Sequence, residues 1–337
     1  MNVLGIESSC DETSVAVISD GKLVANLISS QDFHVNYGGV VPELSSRAHL
    51  QIVLPLLKDA LSESKLTLKD INVICATAGP GLIGALLVGL TFAKGLAYSL
   101  QIPFVPVNHI EGHVYSGFLM KDKPEFPFLA VVVSGGHTLL LLVNSFTEIQ
   151  KLGSTVDDAA GEAFDKVAKM LGLGYPGGPK IQKAAEHGNK EKVTFPVADL
   201  ADPFNFSFSG LKTSVLRYVQ KSFKDNIIPD NERNNIAASF QDAVIRAITR
   251  NAERALNNFE IKSLSLVGGV AANQPLRDAL TNLAARYNKR IVIPDMQFCG
   301  DNAAMITFRG MKLFESGKRF ELTYNPFPGI PENHFSI

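Results

Sequence analysis

The stretch VPVNHIEGHVYS, residues 105–116, places His109 and His113 four apart, with Glu111 between them. Residues four apart share a helix face, so both imidazoles can point at one ion. Glu111 sits two positions on, faces elsewhere and is not expected to be a ligand. The order matters too. A metalloprotease helix reads HExxH, with a glutamate base beside the first histidine, whereas here the glutamate is third in HIEGH. Alone, the pair fits a metal site or an ordinary helix, because a site needs further ligands from elsewhere. Asp301, which heads a helix in FCGDNAAM, is equally open. As an N-cap it needs no function; as a third ligand it completes a two-His-one-carboxylate set with open positions.

Other runs carry chemistry beside a plainer reading. GIESSCDETSVAV packs hydroxyls and acids into a turn between apolar strands. Its amides can hold phosphate oxygens, and Asp11 and Glu12 can orient a nucleophile or a hydrated ion, or the turn is simply solvated. In VVVSGGHT, Gly135 and Gly136 let a ligand approach the backbone next to the Ser134 hydroxyl, or they make a tight hairpin. Asp165 lies on an amphipathic helix, and Gly177 and Gly178 fall in the loop LGYPGGPK beyond it. A carboxylate there suits paired ribose hydroxyls, or it is a surface acid before a helix stop. Asn273, in LVGGVAANQPL, opens a helix beside a nucleotide or merely caps it. GGVVPELSSRAH (38–49) and NFSFSGLKT (205–213) read as mobile loops. Lys212, Arg217, Lys221 and Lys224, and Arg246, Arg250 and Arg254 at helical spacing, read as solvated faces or phosphate contacts.

The elements that must position these groups repeat. Strand, polar turn, strand is written as VLGIE, SSCDETS, VAVIS and again as FPFLAVVV, SGGHT, LLLLV. Strand, glycine turn, helix is written as DINVICATAGPGLIGALLVGLTFAKGLA and again as EIKSLSLVGGVAANQPLRDALTNLAARY. Such echoes predict a duplicated α/β unit, two lobes with their polar turns facing a nucleotide cleft. RNNIAASFQDAVIRAITRNAERALNNF reads as one long helix or two, and PFPGIPENHFSI as an extended, poorly structured tail. The expected division is an N-terminal lobe over 1–125, a C-terminal lobe over 126–298, a helix over 299–325 that carries Asp301 back to the cleft, and a tail over 326–337.

With 337 residues, 46% of them hydrophobic, and a mean hydropathy of +0.11, the chain can bury two cores. A net charge of −1 gives no global field for nucleic acid or membrane, so a polyanion needs a local patch or helper proteins. Cys10, Cys75 and Cys299 are odd in number and widely spaced, which fits a reducing compartment rather than a disulfide framework. The N-terminus reads as a strand rather than a signal or transit peptide, and LIGALLVGLTFAKGLAYSL as a buried helix rather than a membrane span. A bacterial cytoplasmic setting is expected.

GIESSCDET, GGVVPELSSRAH, NHIEGH, VSGGHT, DDAAGEAFDK, YPGGP, FSFSGLKT, GGVAAN and CGDNAAM follow one another in this order. The series resembles the bacterial (TsaD-type) tRNA N6-adenosine threonylcarbamoyltransferase family, formerly labelled O-sialoglycoprotein endopeptidase, from residue 3 to about 325. The resemblance implies an α/β fold of the actin-like, sugar-kinase-like and Hsp70-like ATPase superfamily, with duplicated RNase-H-like units. It implies transfer of the threonylcarbamoyl group from threonylcarbamoyl-AMP to the adenosine 3′ of the anticodon in ANN-decoding tRNAs. His109, His113 and Asp301 would hold one metal per subunit, Fe(2+) with Zn(2+) as a practical alternative. Val132, Val133, Ser134, Gly135 and Gly136 would line the adenylate, Asp165 and Gly178 its ribose side, and Asn273 its base side. Asp11 or Glu12 is the candidate base. The implied partners are tRNA, a paralogous metal-free protein (TsaB type), a small ATPase (TsaE type) and an upstream threonylcarbamoyl-AMP synthase, with no membrane. Two departures stand out. Val132 replaces the tyrosine ligand of archaeal-type relatives, leaving a coordination position open. Gln182 replaces an acid found in some members, which weakens a ribose contact there. The alternative is an ATP-dependent small-molecule kinase of the same superfamily, which would need nucleotide-bound magnesium but no imidazoles. A metalloprotease fails on spacing, and a vestigial scaffold is at odds with an intact ligand set.

Overall fold

The protein is described by a computed structural model covering residues 1–224 and 227–329. It divides into two compact units. The first comprises Met1–Lys123, Ser145–Ile149 and Pro294–Ile337; the second comprises Pro124–Asn144 and Gln150–Ile293.

In the first unit, β1 (Asn2–Glu7), β2 (Glu12–Ser19), β3 (Lys22–Ser30), β4 (Val73–Gly79) and β5 (Phe104–Asn108) form one sheet in the order β3-β2-β1-β4-β5. β1 and β2 are antiparallel, whereas β1–β4 and β4–β5 run parallel. The inner strands are apolar on both faces, as a sheet covered on both sides requires. Leu4, Ile6, Val15, Val17, Ile74 and Ala76 pack against α1 (Pro42–Ser64) and α2 (Ile83–Leu100). On the other face Gly5, Ala16 and Cys75 meet α10 (Ala303–Glu315), which lies beside α3 (His109–Ser116). A side chain on Gly5 would lie 2.0 Å from Thr307 Oγ1, so α10 rests directly on the β1 backbone.

In the second unit, β6 (Phe128–Val133), β7 (Thr138–Val143), β8 (Ile149–Ser154), β9 (Ser263–Val267) and β10 (Arg290–Val292) are ordered β10-β9-β6-β7-β8. Read from β8, this repeats the first sheet: an antiparallel β6–β7 hairpin, then parallel β6–β9 and β9–β10 pairs. The echoes in the sequence are thus a duplicated topology. The helices of this unit are α4 (Ala160–Met170), α5 (Gly177–Ala185), α6 (Ser209–Ser222), α7 (Asp230–Asn258) and α8 (Gln274–Arg286); α9 (Met296–Cys299) belongs to the first unit.

Several expectations change. Residues 42–49 are not a mobile loop. They open α1, with Ser45 and His49 fully buried, and residues 209–213 open α6. The YPGGPK loop is shorter than expected, because α5 starts at Gly177. α2 is long and apolar enough to cross a membrane, yet it lies against β4 and α1. It is buried on one side only, with Ile83, Leu87 and Tyr98 exposed. The tail is held as far as Pro328. Phe327 N–H donates to Ala78 O and Gly81 N–H to Pro328 O, at 2.9 and 3.3 Å. Residues 330–337 of PFPGIPENHFSI lie outside the described residues. The arginines at helical spacing on α7 have partners within the protein. Arg246, Arg250 and Arg254 donate to Phe195 O, Ala198 O and Pro203 O at 3.1, 2.5 and 2.9 Å, fastening an irregular segment to the helix. A segment without its own ladder needs such partners for its carbonyls.

Candidate metal centre and nucleotide-binding turns

α3 begins where β5 ends because Asn108 caps it, accepting from Ile110 N–H at 2.9 Å and Glu111 N–H at 3.4 Å. His109 and His113 then lie one turn apart, with ring centroids 4.8 Å apart and planes at 86°. The expected helix cap at Asp301 is instead Asn302, whose side chain accepts from Met305 N–H at 3.1 Å. Relieved of capping, Asp301 turns to the histidines. Its Oδ1 lies 3.0 Å from His113 Nε2 and 3.4 Å from His109 Nε2. Among the described residues, these three form a group whose ligand atoms all lie within 4.8 Å of one another.

The surroundings fix the rings. His109 Nδ1–H donates to Glu7 Oε2 at 3.1 Å, and Ser9 Oγ is 3.2 Å from the same nitrogen. Glu7, wholly buried at the end of β1, also accepts from Ser9 N–H and the Thr77 hydroxyl, each at 2.6 Å. A carboxylate on the far nitrogen leaves the Nε2 lone pair for a cation, the usual support for a metal-bound imidazole. His113 Nδ1 is buried without a hydrogen-bond partner, which leaves that ring less firmly oriented. Two imidazoles and a carboxylate fit a borderline divalent metal with open positions better than a hard oxygen-seeking one.

Burial opposes charge throughout this cluster, yet opposite charges overcome it. Burial disfavours the Asp301 carboxylate, but the two imidazoles hold it well below the ordinary range. Burial likewise disfavours the His109 imidazolium, but Asp301 and Glu7 hold it well above the usual histidine value. Glu7 stays below its ordinary value against burial, mainly through His109. Glu12 is the exception. Burial, then Asp301 and Asp11, push it up to about 9. The turn from residue 8 to 12 thus sits electrostatically against the centre, with Asp11 and Glu12 half-buried.

Glu111, expected to face away from the two histidines, has a partner that was not legible in the sequence. It is buried against Arg309 of α10, with Oε2 2.6 Å from Nε and 2.5 Å from Nη2, the latter not aligned as a hydrogen bond. Arg309 also donates to Phe146 O at 2.6 Å and lies 4.5 Å from the Tyr115 ring centroid. This pair ties the helix bearing both histidines to the helix that follows Asp301. Glu7 gave a faint signal as an acid ending an apolar strand; the Glu111–Arg309 pair spans 198 positions and gave none.

The remaining candidates lie in the second unit. Val132 and Val133 are fully buried in the central strand β6, so their side chains line no surface; Ser134, Gly135 and Gly136 are the accessible part of the run. Gly161 N–H donates to Ser134 O at 3.2 Å, setting the start of α4 against this turn. Asp165 accepts from Gly177 N–H at 2.7 Å, and burial raises its carboxyl. Gly178 has open space where a side chain would stand. Asn273 caps α8 through Leu276 N–H at 3.0 Å and donates to Gln241 at 2.8 Å. Gln182 accepts from Gln274 N–H at 3.1 Å, so it joins α5 to the start of α8. Ser134 on its turn, Asp165 within α4, Gly178 at the start of α5 and Asn273 at the cap of α8 thus all belong to one unit.

Residues 22–308 match the family model described as tRNA N6-adenosine threonylcarbamoyltransferase, TsaD. The chain is 48% identical over 332 residues to the protein of that name from Thermosipho africanus, covering 98% of this chain and 99% of that one. It is 49% identical over 321 residues to that of Kosmotoga olearia, covering 95% and 94%. Among solved structures, T. kodakarensis HypF aligns with a TM-score of 0.68 and 16% identity, covering 94% of this chain and 48% of that one. Component A of the Acidaminococcus fermentans (R)-2-hydroxyglutaryl-CoA dehydratase aligns at 0.54 and 16%, covering 94% and 100%. These distant likenesses establish the fold alone, an α/β architecture. By the extent of both the model match and the identities, this chain belongs to the tRNA N6-adenosine threonylcarbamoyltransferase (TsaD) family.

Proposed function

We propose that this protein transfers the threonylcarbamoyl group from threonylcarbamoyl-AMP to N6 of the adenosine 3′ of the anticodon in ANN-decoding tRNAs, forming threonylcarbamoyladenosine (t6A) and releasing AMP. The observation that carries the reading is the convergence of His109, His113 and Asp301, with Glu7 behind His109, in a chain of this family. His109 Nε2, His113 Nε2 and the Asp301 carboxylate would hold one Fe(2+), with Zn(2+) as a practical alternative. Held there, such a metal would supply positive charge to offset that on the leaving phosphate.

The donor is a mixed anhydride, so no covalent enzyme intermediate is required. N6 attacks the carbamoyl carbon, the carbon–oxygen bond to phosphate breaks, and AMP keeps the electron pair. The amine is conjugated with its ring and nucleophilic only when positioned and deprotonated, and the base must leave its stack to react. Asp11 or Glu12 takes that proton in this reading. Burial, then the neighbouring Asp301 and Asp11, push the Glu12 carboxyl up to about 9. Ser134, Gly135 and Gly136 line the adenylate in this reading, Asp165 and Gly178 meet the ribose, and Asn273 meets the base. Val132 and Val133 contribute backbone shape only.

A near-neutral chain attracts tRNA weakly, which supports helper proteins: a paralogous metal-free partner (TsaB type), a small ATPase (TsaE type) and an upstream synthase, in the bacterial cytoplasm. Exposed Leu50, Leu54, Ile83, Leu87 and Tyr98 on the adjoining helices α1 and α2 give the paralogous partner an apolar surface. The kinase alternative leaves the imidazole pair without a purpose. Mass spectrometry of nucleosides from ANN-decoding tRNA, incubated with threonylcarbamoyl-AMP, partners and this protein, tests the reading. Threonylcarbamoyladenosine is expected. Its absence with active partners, together with phosphorylation of a sugar from ATP, would favour the kinase.

A further inference from the structure

The GGVVPELSSRAH run is not absorbed by the metal centre or the nucleotide turns, yet two of its side chains end in a buried polar network. Gln31, His34, Ser45, His49 and Thr13 are all at most 7% exposed. Together they surround the carbonyls of the turn that carries Asp11 and Glu12.

Fixed backbone groups at the ends of this network determine where every proton lies. Val41 N–H donates to His34 Nδ1 at 3.3 Å, so the His34 proton is on Nε2, which donates to Gln31 Oε1 at 2.9 Å. The Gln31 amide then faces Ser45 O at 3.3 Å as a donor. At the other end Cys10 O only accepts. His49 Nε2, 3.0 Å away, must therefore carry a proton and donate to it, and the Ser45 hydroxyl donates to the same oxygen. That leaves His49 Nδ1 as an acceptor, and the Thr13 hydroxyl donates to it at 2.7 Å. The 3.4 Å contact between the Gln31 amide and His49 Nε2 is then donor against donor and not a bond. Gln31 N–H completes the set by donating to Asp11 O at 3.1 Å. Both histidines are neutral Nε2–H tautomers, and protonating His49 would set a donor against the Thr13 hydroxyl. Burial, which lowers the His49 pKa, works in the same direction.

We infer that His49, locked as the Nε2–H tautomer, is a positioning residue that holds the Cys10 carbonyl and so aims Asp11 and Glu12 at the centre. The inference rests on the proposed transfer only in taking those acids to serve the reaction. A buried, fully satisfied network is rigid, and a misplacement near 1 Å of a reacting group costs about 100-fold.

The test pairs turnover with two readouts that need none. His49→Phe removes the donor and keeps the ring; His49→Gln restores a donor near Nε2. With tRNA, threonylcarbamoyl-AMP and active partners, His49→Phe is expected to lose about 10- to 100-fold in kcat, with KM changed by less than about threefold, and His49→Gln to recover most of the loss. Amide exchange of residues 11–13 should accelerate about tenfold or more in His49→Phe while that of His109–Ser116 is unchanged. In the unaltered protein, long-range proton–nitrogen spectra should show His49 protonated on Nε2 alone at neutral pH. An imidazolium or Nδ1–H form, unchanged kcat and exchange in His49→Phe, or a His49→Gln variant as impaired as His49→Phe would overturn the inference. If the unaltered protein transfers nothing, the functional reading falls, and the spectra and exchange still decide the positioning.

Discussion

Arg309→Met probes how the centre is held together. Arg309 and Glu111 are 1% and 0% exposed, and their contacts of 2.5 and 2.6 Å join α3 to α10. The substitution removes the cation and leaves a carboxylate with no counter-charge in a site closed to water. It also frees Phe146 O, which accepts from Arg309 at 2.6 Å, and ends the contact with the Tyr115 ring. Breaking a buried pair by removing one partner costs about 3–5 kcal/mol, a large share of a typical net stability of about 5–15 kcal/mol. With a urea dependence of about 2–3 kcal/mol per molar, the midpoint of the first unit's unfolding should fall by about 1 M or more, read by circular dichroism. Removing both charges tells pairing from packing. Glu111→Leu with Arg309→Met should regain most of the loss, because an apolar replacement of a buried pair is often neutral or better. A single variant that costs under about 1 kcal/mol, or a double variant no better than the single, would refute the idea that the charge pair registers the two helices.

Three further outcomes follow from local geometry. Glu7→Gln should weaken metal binding about 10- to 100-fold in competition with a coloured chelator, by loosening the hold on His109 Nδ1; affinity within twofold of the parent would contradict that role. Asp158 bridges Lys166 and Lys212 at 2.8 and 2.7 Å, and those lysines outweigh burial to hold its carboxyl below the ordinary 3.8. Its stabilisation is therefore complete above the unfolded value and lost as pH falls through the folded one, so the stability gap between parent and Asp158→Asn should be flat near neutrality and close below about pH 4, while a gap that widens in acid would give the sign as wrong. Gly177→Ala should lower adenylate affinity in titration calorimetry, because the new methyl would lie 2.5 Å from the Asp165 Cα and force α4 and α5 apart; unchanged affinity would separate this junction from the ligand.

Much of this was written in local pattern. The paired hairpins and paired strand–glycine–helix runs announced a duplicated topology, because apolar strands with polar turns recur at matching places. His109 and His113 were legible because helical spacing alone puts them on one face. Asp301 was legible only as one of two readings, since an acid before a helix is usually its cap; the next residue, Asn302, takes the cap and releases it. What stayed hidden depends on long-range partners. Polar density made GGVVPELSSRAH look mobile, but Ser45 and His49 share one acceptor, the Cys10 carbonyl, on a turn some 35 positions away. The arginine stripe of α7 looked ready for phosphate until its guanidiniums met the carbonyls of an irregular segment that precedes them. Val132 and Val133 belonged to the motif string, but a central strand leaves such side chains no surface.

The most direct measurement of the central claim is transfer as a function of metal. The protein is stripped with a chelator, Fe(2+) is returned in steps, and threonylcarbamoyladenosine in ANN-decoding tRNA is counted for the parent and for His109→Ala with His113→Ala. Product in the parent should rise from near zero to a plateau at about one equivalent per subunit, and the double variant should stay flat. Full transfer by the stripped parent, or an equal rise in the double variant, would contradict a catalytic metal centre at His109, His113 and Asp301.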